Sequence, residues 1–244
     1  MSGPKPPEKG WYTTVADHLG SAYLGFEFTQ GTDQEVDFLY NALSLRPGAR
    51  LLDVGTGPGR HAVEFAKRGV QVVGIDLSSK FLAIARERAS EAGTPVSFFE
   101  MDALALPFED EFDVAISICE GAFGLGLDDL KILRGVTAAL KPGGHAAVAA
   151  PNTFYVLSQL ESPAEFDPVT SLFHRTMKDV PGEDGSTRDL EMWSSCYTPR
   201  ELEWIANGAG LDPEIVNGVA PGAFGSDIPT REHPELLLLA RKPA

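Results

Sequence analysis

Three observations predict an α/β fold with a doubly wound, mostly parallel seven-stranded sheet and helices on both faces. The first is a glycine-rich turn. The apolar run Leu51-Leu52-Asp53-Val54 ends in Gly55-Thr56-Gly57-Pro58-Gly59-Arg60, three glycines spaced G-x-G-x-G ahead of a helical pattern. The second is alternation: from Arg50 to Ala150, short apolar runs alternate with segments whose apolar residues recur at helical spacing. Such a β-α-β series closes into a parallel sheet with right-handed crossovers. The third is size and balance. A chain of 244 residues, 43% hydrophobic and 23% charged, is long enough to bury a sheet-and-helix core as one domain with additions.

Met1–Gly10 is expected to be a mobile tail, and Met1–Lys9 lacks the apolar stretch of a secretory leader. The next segment, Trp11 to Gln30, carries Trp11, Tyr12, Tyr23, Phe26 and Phe28 and predicts one or two helices forming a lid. Val36, Phe38, Leu39, Leu43 and Leu45 then mark an amphipathic helix, with Thr32 or Asp33 as N-cap. The first strand is Leu51–Val54. Its helix, Pro58–Arg68, stops at Gly69. Val70–Ile75, almost continuously apolar, predicts a strand buried on both faces. Ser78 caps a helix that stops at Gly93, and strands follow at Val96–Phe99 and Phe112–Ile118. A helix over Asp128–Leu140 is broken by Lys141-Pro142-Gly143-Gly144 before a fifth strand, His145–Ala150.

Beyond Pro151 the pattern changes. Leu172–Val180 and Thr187–Tyr197 flank Pro181–Gly185 and predict an inserted hairpin. Thr198-Pro199-Arg200-Glu201 is a helix start: Thr as cap, Pro in the first turn, Glu three residues on. Asp212–Val219 and Glu235–Arg241 are expected to finish the sheet as an antiparallel edge hairpin. The division is 1–46, an N-terminal helical segment; 47–152, a cofactor-binding core; 153–197, a substrate-side insertion; and 198–244, the rest of the core sheet.

The formal charge of −15, from 35 acids against 20 bases, argues against nucleic acid or an anionic membrane as partner. Cys119 and Cys196, the two cysteines, fit no metal spacing and no disulfide framework, as expected of a reduced cytoplasmic protein. Oligomeric state is left open, a homodimer included.

The glycine spacing also bears on the ligand. A dinucleotide fingerprint needs G-x-G-x-x-G, and Arg60 stands where its third glycine would be; a phosphate-binding P-loop would need Gly-Lys-Ser/Thr, which is absent. Loops at the carboxyl ends of the strands converge at the topological switch point. There the chain places Asp76, about twenty residues past the first glycine, the distance at which an acid bonds ribose hydroxyls. It also places Asp102, able to accept from an exocyclic amine, and Cys119-Glu120.

Taken in order, these segments resemble the class I S-adenosylmethionine-dependent methyltransferases of small-molecule type. Leu51–Gly59 resembles their first motif, Val73-Gly74-Ile75-Asp76-Leu77-Ser78 the second, and Asp102-Ala103 with Leu106-Pro107-Phe108 the third. Leu140–Gly144 resembles the turn before their fifth strand. The resemblance implies S-adenosyl-L-methionine as cofactor, S-adenosyl-L-homocysteine as product and a small-molecule methyl acceptor. It implies that Gly55, Thr56 and Gly57 lie beside the methionine part, with Asp53 orienting the ammonium or the loop. Asp76 would accept the ribose hydroxyls and Leu77 touch the adenine. Asp102 and Ala103 would bond the adenine edge, and Cys119 and Glu120 flank the sulfonium. Tyr12, Tyr23 and Phe123 are aromatic candidates for holding that cation. Glu120 and His174, the latter in the inserted hairpin, are the catalytic candidates. No metal is expected. Two alternatives stand beside this reading: a protein methyltransferase, and a cofactor-binding protein without catalysis.

Overall fold

β1 (Arg50–Val54) sits mid-sheet because its side chains divide between two cores: Leu51 packs into one, Leu52 and Val54 into the other. A computed structural model describes residues 7, 8 and 10–244; apart from these, the tail predicted at Met1–Gly10 lies outside the described residues. β1 pairs in parallel with β2 (Gln71–Asp76) on one side and β4 (Phe112–Ser117) on the other. β3 (Val96–Glu100) continues beyond β2, and β5 (Leu140–Pro151) beyond β4, also in parallel. β11 (Glu235–Arg241), β9 (Asp212–Ala220) and β10 (Ala223–Asp227) complete the sheet antiparallel. The order β10-β9-β11-β5-β4-β1-β2-β3 reverses direction between β4 and β1, so the loops after these two strands part to leave a crevice.

The sheet therefore has eight strands, not seven. Ala223–Asp227 has too little apolar alternation to announce a strand; it exists because it folds back on β9. The predicted edge hairpin is corrected with it: β11 lies inside the sheet, between β5 and β9, as its run of buried leucines requires. Lys141–Gly144 does not break the chain before strand five. It stays within β5 as an irregularity in the pairing with β4, with Gly143 at φ 77°.

α2 (Thr32–Ala42), α3 (Arg60–Lys67) and α4 (Ser79–Glu91) cover one face through Val36, Leu39, Phe65 and Leu82. α5 (Asp129–Ala139) and α7 (Pro199–Ala209) cover the other through Ile132, Leu133 and Leu202. Ser78 caps α4, its hydroxyl accepting from Phe81 N–H at 3.1 Å, and Thr198 and Glu201 form the reciprocal box at the start of α7. The cap of α2 is neither Thr32 nor Asp33 but Gly31, at φ 84°, where a Cβ would lie 2.4 Å from the Gly222 Cα.

The insertion forms α6 (Thr153–Ser158) and a small sheet of β6 (Phe166–Asp167), β7 (Leu172–Pro181) and β8 (Thr187–Ser195). α1 (Trp11–Leu19) packs on it. Leu19 meets Val180 and Leu190, the His18 ring bonds the Val180 carbonyl at 2.8 Å, and the Trp11 ring stands edge-on to Trp193 at 5.1 Å. Lys80 of α4 pairs with Glu183 at the hairpin tip and donates to the Asp17 carbonyl at 2.6 Å. Hairpin, α1 and α4 are thereby tied together beside the carboxyl ends of β1 and β2.

Candidate active site

Each glycine of the first turn has its own reason to be glycine. All three have positive φ: 77° at Gly55, 52° at Gly57 and 74° at Gly59. A Cβ on Gly55 would lie 2.0 Å from the Gly121 carbonyl carbon, because the β1 and β4 loops touch there. One on Gly59 would lie 2.9 Å from the Ala85 Cβ, where α3 meets α4. One on Gly57 meets only the Phe81 ring edge, at 3.9 Å. Gly57 therefore presents bare backbone to open space, the condition for close approach of a ligand.

Two carboxylates hold this turn. Asp53 accepts from the Thr56 hydroxyl at 2.6 Å, and burial holds it above the usual carboxylate range against the opposing charges of His61 and Arg60. Asp76 accepts from Gly57 N–H and Ser78 N–H, each at 2.8 Å. Burial pushes Asp76 up to about 6, although these backbone donors pull it down. Across the crevice, Cys119 and Glu120 are consecutive non-glycine residues in the left-handed region, at φ 54° and 51°. Such backbone costs of order 1–3 kcal/mol per residue and persists only when its surroundings impose it. Here the Ser117 hydroxyl accepts from Ala122 and Phe123 N–H, and the β1 turn presses on Gly121. The result turns Glu120 toward the Ser194 hydroxyl of β8, which donates to it; burial raises the Glu120 carboxyl.

Between these loops, α1 and the hairpin lies a cavity of about 530 Å³. Tyr23, Asp53, Gly55, Thr56, Gly57, Asp76, Cys119 and Glu120 all line it. Tyr23 packs at 5.1 Å on Phe81 and at 5.4 Å on Phe28, and burial raises its phenol. Leu77, Asp102 and Ala103 are not in the cavity wall. They follow β2 and β3, where Asp102 caps a single turn of 3₁₀ helix, Ala103–Ala105, by accepting from Leu104 N–H at 2.9 Å. Tyr12 connects the two regions: its phenol is pushed up to about 12, by burial first and then by the charges of Asp102 and Asp76.

Two predicted residues are corrected. His174 does not face the cavity. β7 presents Phe173, Arg175 and Met177 to it, so the period of two turns His174 the other way, where it stacks on Trp193 at 4.6 Å and pairs with Glu191. His174→Ala should leave turnover within about twofold; a larger loss in kcat would restore a catalytic part for it. Phe123 is fully buried and stacked on Tyr197 at 5.2 Å, a core residue rather than part of a cage.

Sequence reasoning missed the hairpin side of the cavity. Phe173, Arg175, Met192 and Ser194 line it, and period-two alternation within the predicted hairpin could have paired them. Arg60, noted in the sequence only as a glycine replaced, donates to the Thr29 carbonyl at 3.0 Å and the Thr32 hydroxyl at 2.6 Å, and lies 3.8 Å from Glu35. Glu35 also bonds His61 at 2.7 Å and Gly222 N–H at 2.7 Å. Cys119 brings a third metal-ligand type to within 4.8 Å of this pair, but the Arg60 guanidinium already supplies the positive charge there. Glu235, the acid that opens the leucine run of β11, also lines the cavity.

The fold is Rossmann-like, with its cavity at the switch point of the sheet. Residues 51–144 match the family model described as a methyltransferase domain. The match covers the core of the chain and supports its resemblance to the class I S-adenosylmethionine-dependent methyltransferases. It is similar to a demethylmenaquinone methyltransferase of Thermus thermophilus, 43% identical over 101 residues, 41% of this chain and 46% of that one. It is also similar to phosphoethanolamine N-methyltransferase 2 of Caenorhabditis elegans, 31% identical over 211 residues, 83% of this chain and 47% of that one. The chain thus spans about half the length of these curated relatives. Among solved structures, the CcbJ methyltransferase from Streptomyces caelestis superimposes with a TM-score of 0.76 at 21% identity, covering 95% of this chain and 98% of that one. Among the described residues, no helix is long and apolar enough to cross a membrane.

Proposed function

We propose that the protein transfers the methyl group of S-adenosylmethionine to a small-molecule acceptor, leaving S-adenosylhomocysteine. The observation that carries this is the cavity itself: its volume of about 530 Å³ lies within the usual range for small-molecule sites, and residues of α1 and the hairpin line it opposite the β1 and β4 loops. The chain's residues fit the cofactor. Gly57 leaves room for its methionine tail, and Asp76 offers two carboxylate oxygens to its ribose. Asp53 and Thr56 shape the turn, Tyr23 brings a ring face, and Leu77, Asp102 and Ala103 take the adenine side.

When bound, S-adenosylmethionine supplies a methyl group already activated by the sulfonium. The protein then has to align a nucleophile in line with that methyl and exclude water. In this reading residues 1–46 act as the lid, 47–152 hold the cofactor, 153–197 face the acceptor and 198–244 complete the sheet. The two unpaired cysteines accord with a reducing cytoplasmic setting.

Calorimetry with S-adenosylmethionine and S-adenosylhomocysteine, followed by mass-spectrometric methyl transfer over a metabolite panel, tests the reading. Both ligands should bind well below millimolar, and at least one small molecule should gain 14 mass units, a methyl group replacing a hydrogen. Binding of neither ligand refutes it. Tight binding with transfer to no compound moves the weight to a non-catalytic binding protein.

A further inference from the structure

Glu235 is the group in the cavity that the cofactor reading does not use. It opens β11 beside the end of β5, on the face that carries Cys119. Its Oε2 is sealed from solvent and has no hydrogen-bond partner among the described residues. Burial pushes its carboxyl up to about 8; the charges of Glu120 and Glu35 add to this and Arg60 opposes it. Glu120, the second carboxyl here, has a single hydroxyl partner, Ser194.

Among the described residues, the cavity holds no spare cation to balance them. Arg60 and Arg175 are the guanidinium groups that line it. Arg60 is engaged by Glu35, Thr29 and Thr32, and Arg175 by both carboxylate oxygens of Glu165, at 2.7 and 3.0 Å. The His61 ring is bonded to Glu35. Two buried carboxyls without a counter-ion stay protonated unless a ligand brings a positive charge that favours their ionised form. The wall around them is apolar, with Phe173, Met177 and Met192.

We propose that the methyl acceptor is an amine, drawn in as its ammonium between Glu120 and Glu235 and methylated on nitrogen. This rests on the methyl-transfer reading above. One carboxylate takes a proton from the ammonium. The freed nitrogen lone pair forms the new C–N bond as the C–S bond breaks, its electron pair passing to sulfur and discharging the sulfonium. The product leaves as a methylated ammonium and the carboxyl releases its proton to solvent, one proton per turnover.

The test uses the full chain saturated with S-adenosylhomocysteine. The probes are benzylamine, 2-phenylethylamine and cyclohexylamine, each titrated against the alcohol of the same skeleton. At least one amine should bind about tenfold or more tighter than its alcohol, a gap of about 1.4 kcal/mol, and Glu235→Gln and Glu120→Gln should each remove most of that difference. With S-adenosylmethionine, the same amine should gain a methyl group. A sulfonium is also a cation, so both cofactor forms are titrated. If the carboxyls serve the amine, Glu235→Gln leaves the affinity ratio of S-adenosylmethionine to S-adenosylhomocysteine within about twofold. Equal binding of every amine and its alcohol overturns the proposal, as does a selective loss of S-adenosylmethionine affinity in Glu235→Gln, which would assign the carboxyls to the sulfonium. If wild type binds neither cofactor form, the methyl-transfer reading itself fails and the proposal with it.

Discussion

Asp76→Ala should cut the affinity for S-adenosylmethionine by at least about a hundredfold while leaving the protein folded. Hydrogen bonds to a charged acceptor are worth about 1.5–3 kcal/mol each, so losing two ribose contacts costs about 3–6 kcal/mol. The same carboxylate accepts from Gly57 and Ser78 N–H, so the variant also loosens the turn that frames the methionine side. Asp76→Asn, which keeps one acceptor oxygen, should fall between. The pH dependence follows from the carboxyl's position at about 6. Its ionised form accepts from both hydroxyls, so wild-type affinity should be flat above pH 6 and weaken by up to tenfold per unit as pH falls below it. The alanine variant should lack that bend. Calorimetry from pH 5 to 8 measures both, and unchanged affinity in Asp76→Ala would mean the ribose lies elsewhere.

Gly55→Ala should be the most destabilising single methyl group in the site. Its Cβ would lie 2.0 Å from the carbonyl carbon and 2.1 Å from the carbonyl oxygen of Gly121, and φ is 77°. Both partners are backbone, and the loops that meet there are already strained at Cys119 and Glu120, so no flexible side chain can yield. A loss of about 3 kcal/mol or more is expected, a fall in Tm of roughly 6–12 °C for a chain of this size. Gly57→Ala provides the contrast. Its Cβ meets only Phe81, at 3.9 Å, so stability should drop by about 1 kcal/mol from backbone conformation alone. Cofactor affinity should suffer instead, and Gly57→Val should block binding outright. Thermal melts and calorimetry on the three variants would show it. Equal melting losses at the two positions would contradict the division between a packing glycine and a ligand-facing one.

The parts legible in the sequence were those governed by local chemistry. The first turn, the Ser78 cap and the box at Thr198 depend on residues within a few positions of one another, and each forms as its pattern implies. Asp76 was legible as a strand-ending acid for the same reason, since it closes the apolar run of β2 at the crevice, where it lines the cavity. The mistakes arose where a distant segment decides. β10 is a strand because β9 pairs with it, and the start of α2 is set by Gly222 crowding Gly31. His174 was placed in the right hairpin, yet a shift of one residue along a strand changes the face, and the face is set by what α1 and the sheet leave open.

The sequence by itself determined the doubly wound core and the glycine turn with its strand-ending acid, because hydrophobic period, glycine spacing and residue type are short-range signals. Tertiary structure alone decided what stands across the crevice from that turn. Ser194, Arg175 and Glu235 come from β8, β7 and β11, separated by up to 60 residues and joined at one cavity. Whether a carboxyl there is paired or uncompensated depends on which neighbours the closed fold brings within reach, since burial without a partner is what gives a charge its consequence.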